Sequence, residues 1–362
     1  MGKSETIRPD IWIRARGAQS NAAGRHEATE TRYDSDGWAQ EACGQALTTH
    51  VTEEVARRII SYNRSPDLPF DRSINPYRGC EHGCIYCFAR PTHAWLGLSP
   101  GLDFETRLVA RPNAAEVLDA ELRHPRYVPQ PIAIGTNTDP YQPIERDREI
   151  TRACLTVLQR FRHPVAIVTK GTLIERDLDI LAEMAGQGLV RVGISVTTRD
   201  ADLARKLEPR APSPARRLAT IRALRDAGVP VRIMTSPVIP GLTDHEIEAL
   251  LAAGHEAGAD TASWIMLRLP LEVAPLFQEW LQGHYPDRVN RVMNRVREMH
   301  GGEVYAADWG RRMRGSGVYA RLIARRFEAA AARLGLSEAQ PELRVDLFER
   351  PFEKGTQMSL FG

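Results

Sequence analysis

Residues 75–93 read NPYRGCEHGCIYCFARPTH, from Asn75 to His93, and bring three of the chain's five cysteines together as Cys80-x3-Cys84-x2-Cys87. A disulfide framework uses an even set of cysteines spread along a chain. An odd total with three crowded into one short stretch reads instead as a metal loop. Gly79 and Gly83 precede the first two thiols and give the backbone freedom to wrap closely around a cluster. Three thiolates leave one iron of a four-iron cubane without a protein ligand, an open position where a small chelating molecule binds and reacts. A zinc site completed by His82 or His93 is the competing reading, yet structural zinc usually draws on two separated ligand pairs and no second cysteine pair exists here. Of the remaining thiols, Cys154 precedes LTVL and is expected on the apolar face of a helix, and Cys43 reads as plain structure.

Outward from this loop the chain has the composition of a globular protein, with room across its 362 residues for one barrel-sized domain plus extensions. Its 48 Lys and Arg nearly balance 46 Asp and Glu, so net charge supplies no general attraction to nucleic acid or membrane. No stretch approaches the ~18 apolar residues of a spanning helix and the N-terminus lacks the apolar run of a signal peptide, so a cytosolic protein is expected.

Residues 1–36 are polar and without hydrophobic period, as a flexible leader would be, and residues 37–67 form an N-terminal extension. From 68 to 270 short β-branched runs alternate with helical patterns, the rhythm of parallel βα units. The predicted strands are Arg72 to Pro76, Ile132 to Thr136, Val165 to Thr169, Val190 to Thr197, Val231 to Ser236 and Ala262 to Leu267. Predicted helices include Asp147 to Phe161, Glu175 to Ala185, Pro214 to Ala227 and Asp244 to Ala257. The fold class is therefore α/β, a partial (βα)6 TIM-type barrel with a helical C-terminal extension over 271–362, and chemistry is expected at the C-terminal ends of the strands.

CxxxCxxC after a first strand, with the aromatic Tyr86 directly before the third cysteine, resembles the signature of the radical S-adenosylmethionine (SAM) superfamily. The longer string quoted above looks like its spore photoproduct lyase-related branch, over roughly Ser65 to Leu334. The resemblance implies a 4Fe-4S cluster on Cys80, Cys84 and Cys87, and a SAM molecule whose amino and carboxylate groups chelate the fourth iron. It also implies a reductant such as flavodoxin or ferredoxin, a 5'-deoxyadenosyl radical that takes a substrate hydrogen, and a contact between the main-chain carbonyl of Tyr86 and adenine. Where the wider superfamily places Gly-Gly-Glu after the second strand, this chain has Gly135-Thr136-Asn137-Thr138-Asp139, so Thr136, Thr138 and Asp139 become the expected oxygens for the methionine ammonium. Lys170 and Ser195, at the ends of the third and fourth strands, are placed to meet a carboxylate or ribose hydroxyl. Arg210, beside Glu208 in KLEPRAPSPARR, is a second carboxylate clamp, and Val238, Ile239 and Gly241 in SPVIPGLTD resemble the motif that flanks adenine.

In the resembling lyase a cysteine donates hydrogen from the second-strand segment, whereas Thr136 stands here. A threonine hydroxyl is a poor hydrogen-atom donor, which argues against the lyase reaction itself. In DWGRRMRGSGVYARLIARRF, Arg311, Arg312, Arg314, Arg321, Arg325 and Arg326 interleave with Trp309 and Tyr319, residue types that meet phosphates and stack on bases. Acids such as Asp308 and Glu328 are the alternative partners for those arginines. Three readings stay open: a radical enzyme on DNA or RNA, one on a peptide or small molecule, and a zinc-stabilised nucleic-acid-binding module.

Overall fold

The computed structural model describes residues 13, 15–26, 47–336 and 342–351. Among these residues ten strands form in chain order: β1 (His50–Glu53), β2 (Ile60–Tyr62), β3 (Arg72–Ile74), β4 (Tyr77–Arg78), β5 (Arg107–Ala110), β6 (Ile132–Ile134), β7 (Val165–Thr169), β8 (Val190–Ser195), β9 (Val231–Val238) and β10 (Thr261–Met266). The main sheet runs β10-β9-β8-β7-β6-β3-β2, and β1-β5-β4 make a small separate sheet. From β3 to β10 every pairing in the main sheet is parallel, and only β2 joins antiparallel, on the outer edge of β3. These six parallel strands, in sequence order, are the six expected from the sequence.

Alternation along each strand sorts the residues between helices and barrel interior. A Cβ added at Gly254, in the helix Ile247–Glu256, would collide with Ile233 Cδ1, which sets Ile233 on the helix side of β9. Val190, Val192, Ile194, Val231 and Ile233 are all essentially fully buried in one continuous core. Cys154, in the helix Ile150–Arg160, belongs to this core as expected, and Cys43 lies outside the described residues.

Helix ends follow local chemistry. The expected helix from Asp147 starts only at Ile150, because Glu149 takes a left-handed turn (φ 51°) that separates it from the short helix Glu145–Arg148. Asp200 caps Ala201–Leu207 by accepting from the N–H groups of Asp202 and Leu203, and Ser213 caps Pro214–Asp226 by accepting from Arg216 N–H. The loop between these two helices carries Glu208.

The C-terminal part is helical, with Val273–His284, Val289–Met299 and Gly317–Leu334. Phe327 of the last helix packs its ring on Trp264 of β10 at 6.0 Å. No helix among the described residues is long and apolar enough to cross a membrane. The leader departs from its expected separation from the core. Ala18 is fully buried with Cys84 and Tyr86, because Glu105 accepts from Gly17 N–H (3.0 Å) and Ala18 N–H (2.9 Å) and so draws this stretch onto the cysteine loop. Residues 1–12, 14 and 27–36 of that leader lie outside the described residues.

Candidate cluster and cofactor site

The cysteine loop leaves β4 at Gly79, whose φ of 76° and whose close neighbours, Leu108 Cδ2 2.6 Å and Phe104 O 2.9 Å from a built Cβ, admit only glycine. Cys80 N–H bonds to Phe104 O, Gly83 N–H to Cys80 O, and Cys87 N–H to Cys84 O, which coils the loop so that its side chains share one region. All three thiols are free; Cys80 and Cys84 are buried and Cys87 half-buried. Burial pushes every one of their pKa values up, and the neighbouring Asp139 charge adds to this at Cys80 and the Glu208 charge at Cys84.

Arg90 ties the loop from within. Its side chain is wholly buried and bonds the carbonyls of Cys84 (3.0 Å), Gly83 (3.2 Å), Pro100 (3.0 Å) and Gly101 (2.9 Å) while pairing with the equally buried Glu105. Gln142 holds the entrance, accepting from Glu81 N–H at 2.9 Å and donating to Gly79 O at 3.2 Å. The two histidines that would complete a zinc site have other partners. His93 Nε2 lies 2.9 Å from Arg107 O, and His82 Nδ1 lies 3.3 Å from Asp139 Oδ2.

Against these thiols stands a polar network built from the ends of β7 and β8. Lys170 Nζ donates to Ser195 Oγ at 2.8 Å, Ser195 Oγ donates to Ser236 O at 2.8 Å, and the ammonium lies 3.8 Å from Glu208 Oε1 and 5.8 Å from the Tyr86 ring centre. Glu208 also accepts from Thr197 Oγ1 (2.8 Å), the Tyr86 hydroxyl and the fully buried Arg217. Burial alone would raise the Glu208 carboxyl, but the Arg217 and Lys170 charges outweigh it and hold it down to about 2. Asp139 behaves alike: burial opposes its ionisation, while the nearby His82 and hydrogen bonds from Lys170 N–H (2.7 Å) and Thr169 Oγ1 (2.5 Å) keep it at about 2.

Residues 74–253 match the family model described as Radical SAM superfamily. The chain carries a radical SAM domain. Its relatives include the uncharacterized protein Rv2578c of Mycobacterium tuberculosis, 42% identical over 226 residues that make up 62% of this chain and 66% of the relative. The match thus spans just under two thirds of that relative's length. The uncharacterized protein MJ0683 of Methanocaldococcus jannaschii is 26% identical over 62% of this chain and 80% of its own. Among solved structures, a point variant of spore photoproduct lyase superposes with a TM-score of 0.55 at 16% identity, covering 79% of this chain and 81% of that one. A spore photoproduct lyase variant with bound AdoMet and dinucleoside spore photoproduct gives 0.53 at 15% identity over the same shares. These likenesses show the shared fold.

A 4Fe-4S cluster and SAM are the cofactors of this superfamily, and the radical SAM domain described here fits them. Three unbridged thiols occupy one glycine-hinged loop, and a cation with adjoining hydroxyls lies beside them. Of the residues expected from the sequence, Tyr86, Lys170, Ser195 and Asp139 come together around the thiols. Ile239 is fully buried in the same apolar cluster as Cys84 and Tyr86, and Val238 ends β9 beneath it. Gly241 turns left-handed (φ 73°) and donates to Asp244 Oδ1. Thr136 lies half-buried on the loop after β6, whereas the Thr138 hydroxyl turns away to donate to Tyr77 O at 3.1 Å. Arg210 sits on the outer side of the loop, bonding His82 O through its N–H and pairing with Glu81 at 3.0 Å.

Sequence reasoning missed Arg90, Glu105, Gln142, Thr197 and Arg217. Arg90 follows Cys87 by three positions, which was the one local signal available. The others reach the site only through folding.

The arginine segment is largely occupied by the protein itself. Arg312 pairs with Asp67 at 2.7 Å, Arg311 with Asp308 at 3.4 Å and Arg326 with Glu248 at 2.6 Å, while Arg314 lies 4.4 Å over the Trp264 ring. Arg321 and Arg325 are exposed on the last helix, as is Trp309 before it.

Proposed function

We propose that this chain is a radical SAM enzyme that binds a 4Fe-4S cluster through Cys80, Cys84 and Cys87, cleaves SAM with an electron from a flavodoxin- or ferredoxin-type reductant, and acts on DNA, RNA or a nucleotide. The observation that carries it is the convergence of three buried, free thiols on the Lys170–Ser195–Glu208 network, with Lys170 and Glu208 both acting electrostatically on Cys84. When bound, the reduced cluster supplies the electron that breaks the C5'–S bond of SAM.

The protein's own groups do the rest. Lys170 offers its ammonium to the methionine carboxylate, held in aim by Ser195 and Glu208. Thr136 offers its hydroxyl to the methionine ammonium, with Asp139 fixing the adjacent turn by accepting from Tyr141 N–H and Lys170 N–H. Val238, Ile239 and Gly241 form the wall for adenine, and the Tyr86 carbonyl its polar contact. Thr138 and Arg210 support the loops in this reading, since their polar groups are spent on Tyr77 O, Glu81 and His82 O.

The nucleic-acid substrate is supported by the fold shared with spore photoproduct lyase, which is solved in complex with dinucleoside spore photoproduct. Thr136 in place of a cysteine donor makes the reaction a different one from that lyase's. The test is anaerobic reconstitution followed by iron and sulfide analysis and chromatography for 5'-deoxyadenosine and methionine after reduction with SAM. About four irons per chain and both products are expected; one zinc, no iron and no SAM cleavage overturn the proposal.

A further inference from the structure

The main sheet is open: β10 and β2 end it, and among the described residues neither edge pairs with the other. One short stretch, residues 310–315 with the helix Arg311–Arg314, touches both sides of that gap. On one side Arg314 lies 4.4 Å over the ring of Trp264 of β10, and Met313 Sδ is 3.5 Å from Nη1 of Arg268, two residues past the end of β10. On the other side the turn between β2 and β3 holds the same stretch through Asp67. Its Oδ1 accepts from Gly310 N–H (2.7 Å) and its Oδ2 from Arg312 Nε (2.7 Å), while the Arg312 guanidinium also reaches Ser65 Oγ. Residues 310–315 therefore span the gap between the two edges of the sheet. Behind them lies the cysteine loop. The Arg268 guanidinium stacks 4.7 Å over the ring of Phe88, the residue after Cys87, and Leu267 and Leu269 on either side of Arg268 are buried in one apolar cluster with Cys84 and Tyr86.

Two observations mark this span as a part that opens. The first is its packing. None of residues 301–318 is buried, whereas Trp264 beneath the span is 2% exposed. A segment with few buried apolar contacts opens at low free energy while the core stays folded. The second is its pair of hinges. Gly310 and Gly315 bracket the helix at φ of 80° and 70°, and a Cβ added at Gly310 would meet nothing within 4 Å, so the backbone has room to turn there. The tie that holds the span is, by contrast, well enclosed: the Asp67 side chain is 8% exposed and both its oxygens are engaged. The closed arrangement thus leans on one carboxylate.

We infer that residues 310–315 form a gate across the open side of the sheet, latched by Asp67, through which substrate reaches the thiol end of the strands. Shut, the gate keeps bulk water and stray hydrogen donors from a reactive intermediate, the service that closing lids perform in enzymes of this kind of chemistry. Open, it releases Met313 from Arg268 and uncovers the Arg268–Phe88 pair beside Cys87. The inference rests on the proposed function for the cluster that lies behind the gate and adds the route to it.

Hydrogen exchange on the reconstituted holoprotein reads the gate without a substrate. In the wild type the hydrogen-bonded amides of Gly310, Arg312 and Gly315 should exchange at least about a hundredfold faster than those of β7 to β9, at a rate that low urea leaves unchanged, because a local opening exposes little surface. Asp67→Asn and Arg312→Met, which cut the latch from either side, should each speed that exchange by about tenfold or more, the effect of one charge-assisted hydrogen bond. Both should speed the removal of iron from the reduced protein by the bulky chelator bathophenanthroline disulfonate by a similar factor, from a starting iron content equal to wild type. Exchange of these amides at the urea-dependent rate of the strands would mean that the segment opens only with the whole fold, and overturns the gate. So does unchanged exchange in both variants, or unchanged chelator access in a variant whose segment exchanges faster. The wild-type measurement needs no variant to fold. Failure of the underlying reading shows separately, as a wild-type protein that takes up no iron, on which the exchange comparison can still be made.

Discussion

Lys170, one residue past the end of β7, donates a 2.8 Å hydrogen bond from Nζ to Ser195 Oγ at the end of β8, which fixes a cation beside the three thiols. A lysine held this way has lost its rotamer freedom before a ligand arrives, so the carboxylate it meets gains the interaction at little further entropic cost.

Lys170→Ala should therefore weaken SAM binding by roughly 10- to 150-fold, the span of a charge-assisted hydrogen bond worth about 1.5–3 kcal/mol, without lowering iron content. Ser195→Ala should have a smaller effect in the same direction. Equilibrium binding of SAM to the reconstituted protein, with iron analysis on the same samples, checks both.

Arg90 should matter to the cluster rather than to SAM. Arg90→Met removes the donors to the Gly83 and Cys84 carbonyls and leaves the buried Glu105 without its charged partner, held only by the N–H groups of Gly17 and Ala18, a change that typically costs about 3–5 kcal/mol. Reduced thermal stability and loss of iron on gel filtration are expected, and the double change Arg90→Met with Glu105→Gln should recover stability more than iron. Iron retention equal to wild type in the single variant would show that the loop holds its shape by other means.

Acid should loosen the site before it loosens the barrel. Asp139 and Glu208 titrate at about 2 in the folded protein, against ordinary values of 3.8 and 4.5. Between about pH 4.5 and pH 2 the unfolded chain binds more protons, so stability rises with pH; this contribution is complete above pH 4.5 and lost as pH falls through 2. Urea midpoints of the apoprotein at about pH 5, 4 and 3 should fall steadily, and Glu208→Gln should be less stable at about pH 5 yet show a shallower fall.

Arg312 and the pair Arg321 and Arg325 should separate a structural role from a binding one. Arg312 is half-buried against Asp67, so Arg312→Ala should lower stability by about 1–3 kcal/mol and leave the salt dependence of oligonucleotide binding unchanged. Arg321→Ala with Arg325→Ala should leave stability near wild type and flatten the log–log salt slope by about one unit for each phosphate no longer neutralised. Fluorescence anisotropy across a salt series, paired with thermal melts, reads both effects.

Much of this was legible in the order of residues. CxxxCxxC with its glycines marks the cluster loop, and Val165–Thr169 and the other β-branched runs mark strands, because metal-ligand spacing and strand period act over a few residues. Lys170 and Ser195 followed from the same logic, since the end of each parallel strand points to one face of the sheet. Helix starts were less readable: Glu149 breaks its helix by a local backbone turn that its own side chain does not advertise.

The sequence by itself determined the family signature, the six parallel strands and the place of the three thiols. Only the tertiary structure decided that Glu208 answers to Arg217 and Lys170, that Glu105 joins Arg90 to a leader segment 88 residues away at Gly17, and that Arg311, Arg312 and Arg326 pair with the protein's own acids. The reason is physical. A buried charge is tolerable only where folding delivers its partner, and which distant residue arrives is set by sheet register and helix packing, neither of which is written in the neighbouring residues.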